Sequence, residues 1–321
     1  MDFLNFFGSL VVLVEALLGI LFSSCVIFIY FSSTSDRTSF NLICLSRAIN
    51  NIIVLFFNFL ILEFPTLLLS QNFYSIKIET LIIIITVNVY LVNEFQTILI
   101  AVNRFIAMFV PLFYHKLFNN KITLAFLVAL YLERGYSSVT KLWSLFENNC
   151  EVIWGLDRFS IMYYDDSCSV RFPTGFDSPW IVFLPLGFFA VTILLNLMTF
   201  AKILRFYLVG THNADSESMD SIKNNIRLFF QTVLQDSLFF VDVLFTFKLS
   251  SMSTHRLWYF ISTVFVWESI HMLDGLIMLM FSDRISVLKS KLGKKSSNRV
   301  SGRGNSEFRA VTISHSMPDI N

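Results

Sequence analysis

Asn103-Arg104-Phe105-Ile106-Ala107-Met108-Phe109-Val110-Pro111-Leu112-Phe113-Tyr114 lies where a long apolar run, 78–108, meets a basic loop, 114–121. An arginine at the end of a membrane helix reaches the headgroups or a partner outside the bilayer. In mid-membrane it costs roughly 2.5–3.5 kcal/mol on insertion scales. The stretch is therefore read as the point where a membrane span ends, with Arg104 at one membrane face.

The rest of the chain agrees with that reading. Of 321 residues, 55% are hydrophobic, only 15% are charged and 37 are Phe. Soluble domains carry about 25% charged residues, so this composition describes a polytopic, all-α membrane protein. Spans of about 20 residues are expected near 8–31, 41–62, 78–109, 122–146, 179–204, 226–247 and 257–281, making a seven-transmembrane helix bundle in 1–281. The segment 282–321 is expected to be a tail with a short amphipathic helix and then disorder. Met1-Asp2 has no basic stretch before the first apolar run, so that run is read as a span rather than a cleaved signal. The fourth span is the poorest. Only 122–132 is cleanly apolar, and Glu133, Arg134 and Lys141 follow. It is expected to insert with difficulty, turning Glu133 and Arg134 toward the bundle, unless the segment is damaged.

Lys and Arg set the orientation. With the N-terminus outside, the cytoplasmic side holds Arg37, Lys116, Lys121, Lys202, Arg205, Lys223, Arg227 and eight residues of the tail. The outside then holds only Lys77, Arg158, Arg171, Lys248 and Arg256. The positive-inside rule favours N-out and C-in, which requires an odd number of spans.

The pattern N-R-F-x-A-x-F-x-P-L-x-Y at 103–114 resembles the segment at the inner end of the third helix of rhodopsin-like receptors. It is most similar to the nematode serpentine receptor class X (Srx) chemoreceptors. Asn103 takes the acidic position of the wider pattern, Arg104 the arginine and Phe105 the tyrosine. The resemblance extends to 40–51, 227–236 and 266–275, which look like the family's second, sixth and seventh helices. Neither C-W-x-P in the sixth span nor N-P-x-x-Y in the seventh is present. The resemblance implies a receptor that senses a small-molecule ligand at the outer face and signals through a heterotrimeric G protein. Asn103, Arg104 and Phe105 would meet the Gα C-terminus. It also implies a ciliary plasma membrane in sensory neurons, and no cofactor.

Ionisable residues at membrane depth normally face the bundle interior. Glu94, Asp236, Asp242, Trp267, Glu268 and His271 are read either as a ligand pocket or as a buried polar network. Glu268, His271 and Asp274 follow one another at three-residue spacing on one helix face. Asp236 and Glu268 are expected at similar depth, where two acids disfavour double ionisation. No second E-x-x-H accompanies the one at 268–271, so no metal site is expected. Arg47 and Asp274 lie at comparable depths in the second and seventh spans, which the resemblance implies are neighbours in the bundle. An ion pair between them is expected, with Asn50 completing its hydrogen bonds, unless Arg47 snorkels to the headgroups. Cys150 and Cys168 share one outer loop. They are expected to form a disulfide on the oxidising face, the alternative being two free thiols.

Other classes are weaker. The five His are scattered, and there is no P-loop, G-x-S-x-G or H-E-x-x-H, so an enzyme is not expected. Nothing suggests a nucleic acid; the lipid bilayer is the expected environment. Intramembrane Glu15, Glu94, Asp236, Asp242 and Glu268 would suit an ion-conducting or transport protein, and a damaged, non-signalling receptor copy is the remaining alternative. The odd span count and the absence of a repeat count against transport.

Overall fold

In a computed structural model the chain is described over residues 2–32, 38–171, 179–210 and 216–281. Residues 33–37, 172–178, 211–215 and 282–321, the last with its expected amphipathic helix, lie outside these residues. Seven long helices are present among the described residues. They are α1 (Phe3–Ser32), α2 (Ser39–Leu69), α3 (Ile76–Phe109), α5 (Asn120–Glu147), α7 (Pro179–Gly210), α8 (Ser216–Leu244) and α9 (Arg256–Met280). A short helix, α4 (Pro111–Leu117), follows α3 directly, and α6 (Ser167–Arg171) precedes α7. The segment read as a polar outer loop contains an antiparallel hairpin, β1 (Val152–Gly155) with β2 (Ser160–Tyr163). Among the described residues, five helices are long and apolar enough to cross a membrane: α1, α2, α3, the Leu186–Arg205 part of α7, and α9.

Local chemistry sets the boundaries. Thr38 caps α2 by accepting from the backbone N–H of Asn41 at 3.3 Å, and Asn119 caps α5 through Ile122 at 2.9 Å. Pro111 has no N–H and disfavours helical backbone at Val110, which has φ −135° and ψ 57°, so α3 ends there and α4 starts at the proline. Pro65 lies inside α2, where its ring opposes the carbonyl four residues back. The helix meets it by widening into a π-turn over Leu55–Glu63. Further π-turns occur at Phe245–Leu249, after α8, and at Phe260–Phe265 in α9. No proline accompanies these two.

The helices pack in a closed arrangement. α1 lies against α2 and α9, α2 against α3 and α5, α3 against α5, α7 and α8, and α8 against α7 and α9. Glycines permit the closest approach of α1 and α9. A Cβ on Gly275 would stand 2.8 Å from Ser23 Oγ, and one on Gly19 would stand 3.0 Å from the Met272 Cα.

The hairpin closes one end. Cys150 and Cys168 are joined by a disulfide with their Cα atoms 5.6 Å apart. Thr80 of α3 bonds both the carbonyl (2.8 Å) and the N–H (3.0 Å) of Val152. Thr263 of α9 donates to the Phe159 carbonyl at 2.6 Å. Arg256 spreads over the Phe159 ring, 4.9 Å from its centroid, while bonding Asp2, Asn5 and the Leu156 carbonyl. Phe159 has a φ of 48°, a strained conformation for a residue with a bulky side chain. It is held there by burial against Trp154 and Phe260. Removing the disulfide with Cys168→Ser is expected to destabilise the detergent-solubilised protein by about 3 kcal/mol, the loop-closure value for a ring of this order. A melting temperature equal to that of the native chain would show that the hairpin's other ties suffice.

α5 runs unbroken through Glu133 and Arg134. These neighbours were expected to turn toward the bundle. Instead the Arg134 guanidinium turns back to grip the Glu133 carboxylate through Nε and Nη2. Three methylenes give arginine that reach, which helix geometry alone does not reveal. Arg134 also lies 5.5 Å from the Phe95 ring of α3, while the Glu133 side chain is 54% exposed. Tested alone in a translocon assay, Ile122–Phe146 is expected to insert in under half of chains. Replacing Glu133 and Arg134 by Leu should restore insertion, given the cost of central charges. Efficient insertion of the native segment would contradict this.

Candidate functional site

The centre of the bundle is a continuous polar network. Arg47 and Asp274 are both almost completely buried. Asp274 Oδ1 accepts from Arg47 Nη2 at 2.8 Å and from Gln235 Nε2 at 2.7 Å. Its Oδ2 accepts from Asn51 Nδ2 at 2.8 Å and, more weakly, from Arg47 Nε at 3.4 Å. Arg47 Nη1 donates to Thr97 at 2.9 Å, and its guanidinium lies 5.0 Å from the Phe239 ring. One carboxylate thus gathers α2, α8 and α9, and its arginine adds α3.

Asn50 departs from its expected role. It does not touch the ion pair; it donates to Asn93 at 2.9 Å and accepts from Tyr131 at 2.5 Å. Successive residues on a helix point about 100° apart, so Asn51 faces α9 while Asn50 faces α3 and α5. Asn51 in turn accepts from Asn93 at 2.9 Å and lies 2.9 Å from His271 Nδ1. Ser46 bridges Gln96 at 2.7 Å and Tyr131 at 2.8 Å. Asn51, Asn93, Gln96, Thr97, Tyr131 and Gln235 were not singled out from the sequence. The signal in α3 was available: Asn93, Gln96 and Thr97 recur at three- and four-residue spacing inside an apolar run, marking one interior face.

Toward the hairpin end this network meets an aromatic and acidic group. The Tyr90 hydroxyl lies between Glu94, at 3.0 Å, and Asp242, in closer contact. Thr246 bonds the other oxygen of Asp242 at 3.3 Å. Around the Tyr90 ring stand Trp267 at 5.9 Å, His271 at 5.8 Å and Phe239 at 6.4 Å, and Trp267 also meets Phe59 at 5.3 Å. Of the residues expected in a pocket or network, Glu94, Asp242, Trp267 and His271 are brought together here.

Asp236 and Glu268 are not brought together. Asp236 is bonded by Asn196 of α7, and its electrostatic neighbours are Arg47 and Asp274. Glu268 faces the other way, toward Glu63 and Glu15. Glu63 accepts from Asn58 at 2.6 Å, and Glu15 from Ser269 at 3.0 Å. Similar depth was not enough to pair the two acids, because they occupy faces of α8 and α9 that look at different helices. Among the described residues no group of His, Cys, Asp and Glu is arranged to hold a metal ion.

The 103–114 stretch folds against the start of α2. Ser39 Oγ accepts from Asn103 Nδ2 at 3.2 Å and lies 3.1 Å from the Tyr114 hydroxyl. Arg104 is buried with its guanidinium 4.1 Å from the Phe40 ring centroid, and its Nε and Nη2 have no hydrogen-bond partner among the described residues. Phe105 stacks on Phe109 at 4.4 Å, and the Lys202 ammonium lies 4.5 Å from the Phe109 ring. Asn103 therefore ties α3 to α2 rather than holding its neighbouring arginine.

Comparison with known proteins is consistent with these features. The family described as serpentine type 7TM GPCR chemoreceptor Srx matches residues 13–282. The chain is also similar to "Serpentine receptor class X 45" of Caenorhabditis elegans, with 21% identity over 224 residues. That similarity covers 62% of this chain and spans 58% of the relative's length.

Proposed function

The chain belongs to the Srx family of serpentine seven-transmembrane chemoreceptors, and on that premise we propose that it senses a small molecule at the outer face of the plasma membrane and signals through a heterotrimeric G protein. The hairpin end is the outer end, in keeping with its disulfide and with the distribution of Lys and Arg. The ligand binds between that end and the central network, near Tyr90, Glu94, Asp242, Trp267 and His271. The Arg104 end meets the C-terminus of Gα.

The observation that carries this reading is the state of Arg104. A guanidinium has five N–H donors and stays charged. Two of its nitrogens are buried here without an acceptor, which is unfavourable, and its main compensation is the face of Phe40. Such a group gains when the helices part and an acceptor arrives. Carbonyls or a carboxylate at the C-terminus of a Gα subunit are acceptors of the required kind. A ligand drives that opening only through a difference in its affinity for the closed and open states.

The test is a panel of odorants applied to cells that express the full chain, read by nucleotide exchange on a set of Gα subunits. A ligand-dependent response is expected. Ion or solute flux by purified protein in liposomes, with no exchange on any Gα, would instead place the chain with transport proteins.

A further inference from the structure

Acceptors outnumber donors in the group around Tyr90. The Tyr90 hydroxyl touches the carboxyl groups of both Glu94 and Asp242. A phenol has one proton to give. One more proton, on a carboxyl, completes the chain of three oxygens and leaves it with one negative charge. Thr246 brings only a neutral hydroxyl to Asp242. Among the described residues no Lys, Arg or His forms an ion pair with either acid. His271 adds a further acceptor. Its Nδ1 meets Asn51 Oδ1, which can only accept, so Nδ1 carries the ring proton. In the neutral ring Nε2 is then a bare lone pair, and it is buried without a partner. The walls are aromatic, with Trp267 at 5.9 Å and Phe239 at 6.4 Å from the Tyr90 ring. Tyr90, Glu94 and Trp267 are only half-buried although they lie inside the bundle, so room remains beside the acids.

We propose, resting on the pocket placed above, that the ligand is a small amine bound as its cation, with the ammonium on Glu94 and Asp242 and the carbon skeleton against Tyr90, Trp267 and Phe239. An ammonium brings the charge that this group lacks, and N–H donors for acceptors that have none. Carboxylates hold it through charge-assisted hydrogen bonds, which are shorter and stronger than neutral ones. Aromatic faces attract a cation as well, most strongly where water is excluded. The same features select against other small molecules. A carboxylic acid, ionised at neutral pH, meets like charge here, and an alcohol of the same shape brings a donor without the charge. Asp274, the other buried acid close by, offers no competing site, because Arg47, Asn51 and Gln235 already occupy it.

The test uses the full chain, purified in detergent at neutral pH, where aliphatic amines are protonated. The probes are isopentylamine, cyclohexylamine and 2-phenylethylamine, each beside the alcohol and the carboxylic acid of like shape. Binding is read as a rise in melting temperature with probe concentration, so it does not depend on any Gα. At least one amine is expected to stabilise the chain, and its alcohol and acid to need about tenfold more or to do nothing. Asp242→Asn and Glu94→Gln keep the shape and remove the charge. Each is expected to weaken the amine about tenfold or more. Three results would overturn the proposal. They are stabilisation by alcohols or acids equal to that by amines, no stabilisation by any amine, and amine binding unchanged in both variants. Should the variants fail to fold, the comparison of the three probe classes on the native chain decides by itself. Amine binding with no exchange on any Gα supports the ligand class and counts against the signalling reading alone. Exchange driven by alcohols or acids at lower concentration than by amines does the reverse.

Discussion

Asp274→Ala is expected to lower the stability of the receptor by about 3–5 kcal/mol, the range for breaking a buried pair and leaving its partner charged. Little of the variant should reach the cell surface. The carboxylate has roughly four lone-pair sites, and all four are taken, by Arg47 twice, by Asn51 and by Gln235. Removing it strands a guanidinium that is fully buried and loosens α2, α8 and α9 at once. Asp274→Asn should be nearly as damaging, since its amide would point two hydrogens at groups that already donate. Exchanging the two residues is not expected to rescue either single variant, because Asn51 and Gln235 donate to the carboxylate and have no equivalent use for an arginine. The informative variant is Arg47→Met with Asp274→Leu, which removes both charges. Its loss should be smaller than the sum of the two single losses, by more than the few tenths of a kcal/mol seen for independent sites. Melting temperature in detergent and surface labelling check this, and strictly additive losses would show that the pair is not coupled.

Arg104→Ala should do the opposite. Ligand-dependent nucleotide exchange on Gα is expected to disappear, while surface level and melting temperature are unchanged or slightly raised. The alanine leaves no buried N–H without an acceptor, so the folded state loses a liability along with its stacking on Phe40. Arg104→Lys keeps the charge but not the planar fork. Its coupling should fall by about tenfold or more, the equivalent of one lost charge-assisted hydrogen bond. Normal coupling by the alanine variant at equal surface level would remove Arg104 from the proposed contact. The two arginines therefore predict opposite phenotypes: one is held by acceptors in the resting structure, the other lacks them.

What could be read from the chain beforehand follows from how far each signal travels along it. Helix formation over a long apolar run depends on local composition, so the long helices were legible, and α3 ends within the quoted stretch at Phe109. The meeting of Arg47 and Asp274 was legible by counting residues inward from helix ends, since rise per residue is fixed, together with the family resemblance that makes the second and seventh helices neighbours. Which neighbouring amide would join them was not. Asn50 and Asn51 differ by one position and about 100°, and the rotation of α2 is set by its packing against the neighbouring helices. The same uncertainty in rotation explains why Asp236 and Glu268 were expected together and lie apart. The hairpin was hidden for a different reason. Its strands are four residues each, too short for alternation to show, and it is specified by contacts from distant Thr80, Arg256 and Thr263.

The π-turns have a consequence for how ligand recognition should be mapped. Where a helix returns from the wider repeat to the ordinary one, the register of donors and acceptors jumps by one position and one carbonyl is passed over. In α2 the effect is compounded: Phe64 N–H reaches back to Phe59, and Pro65 has no N–H to offer Ile61. The halves of α2 and α9 nearest the hairpin each contain such a turn, and a third follows α8. A carbonyl passed over in this way seeks a donor, and a ligand of the proposed kind that bears a hydroxyl or amine provides one. Recognition by the main chain leaves no trace in an alanine scan, because every replacement keeps the carbonyl. For this receptor the informative chemistry is backbone editing, such as ester-for-amide substitution around residues 60, 61 and 245–265, or isotope-edited infrared spectra of those carbonyls as odorant is added.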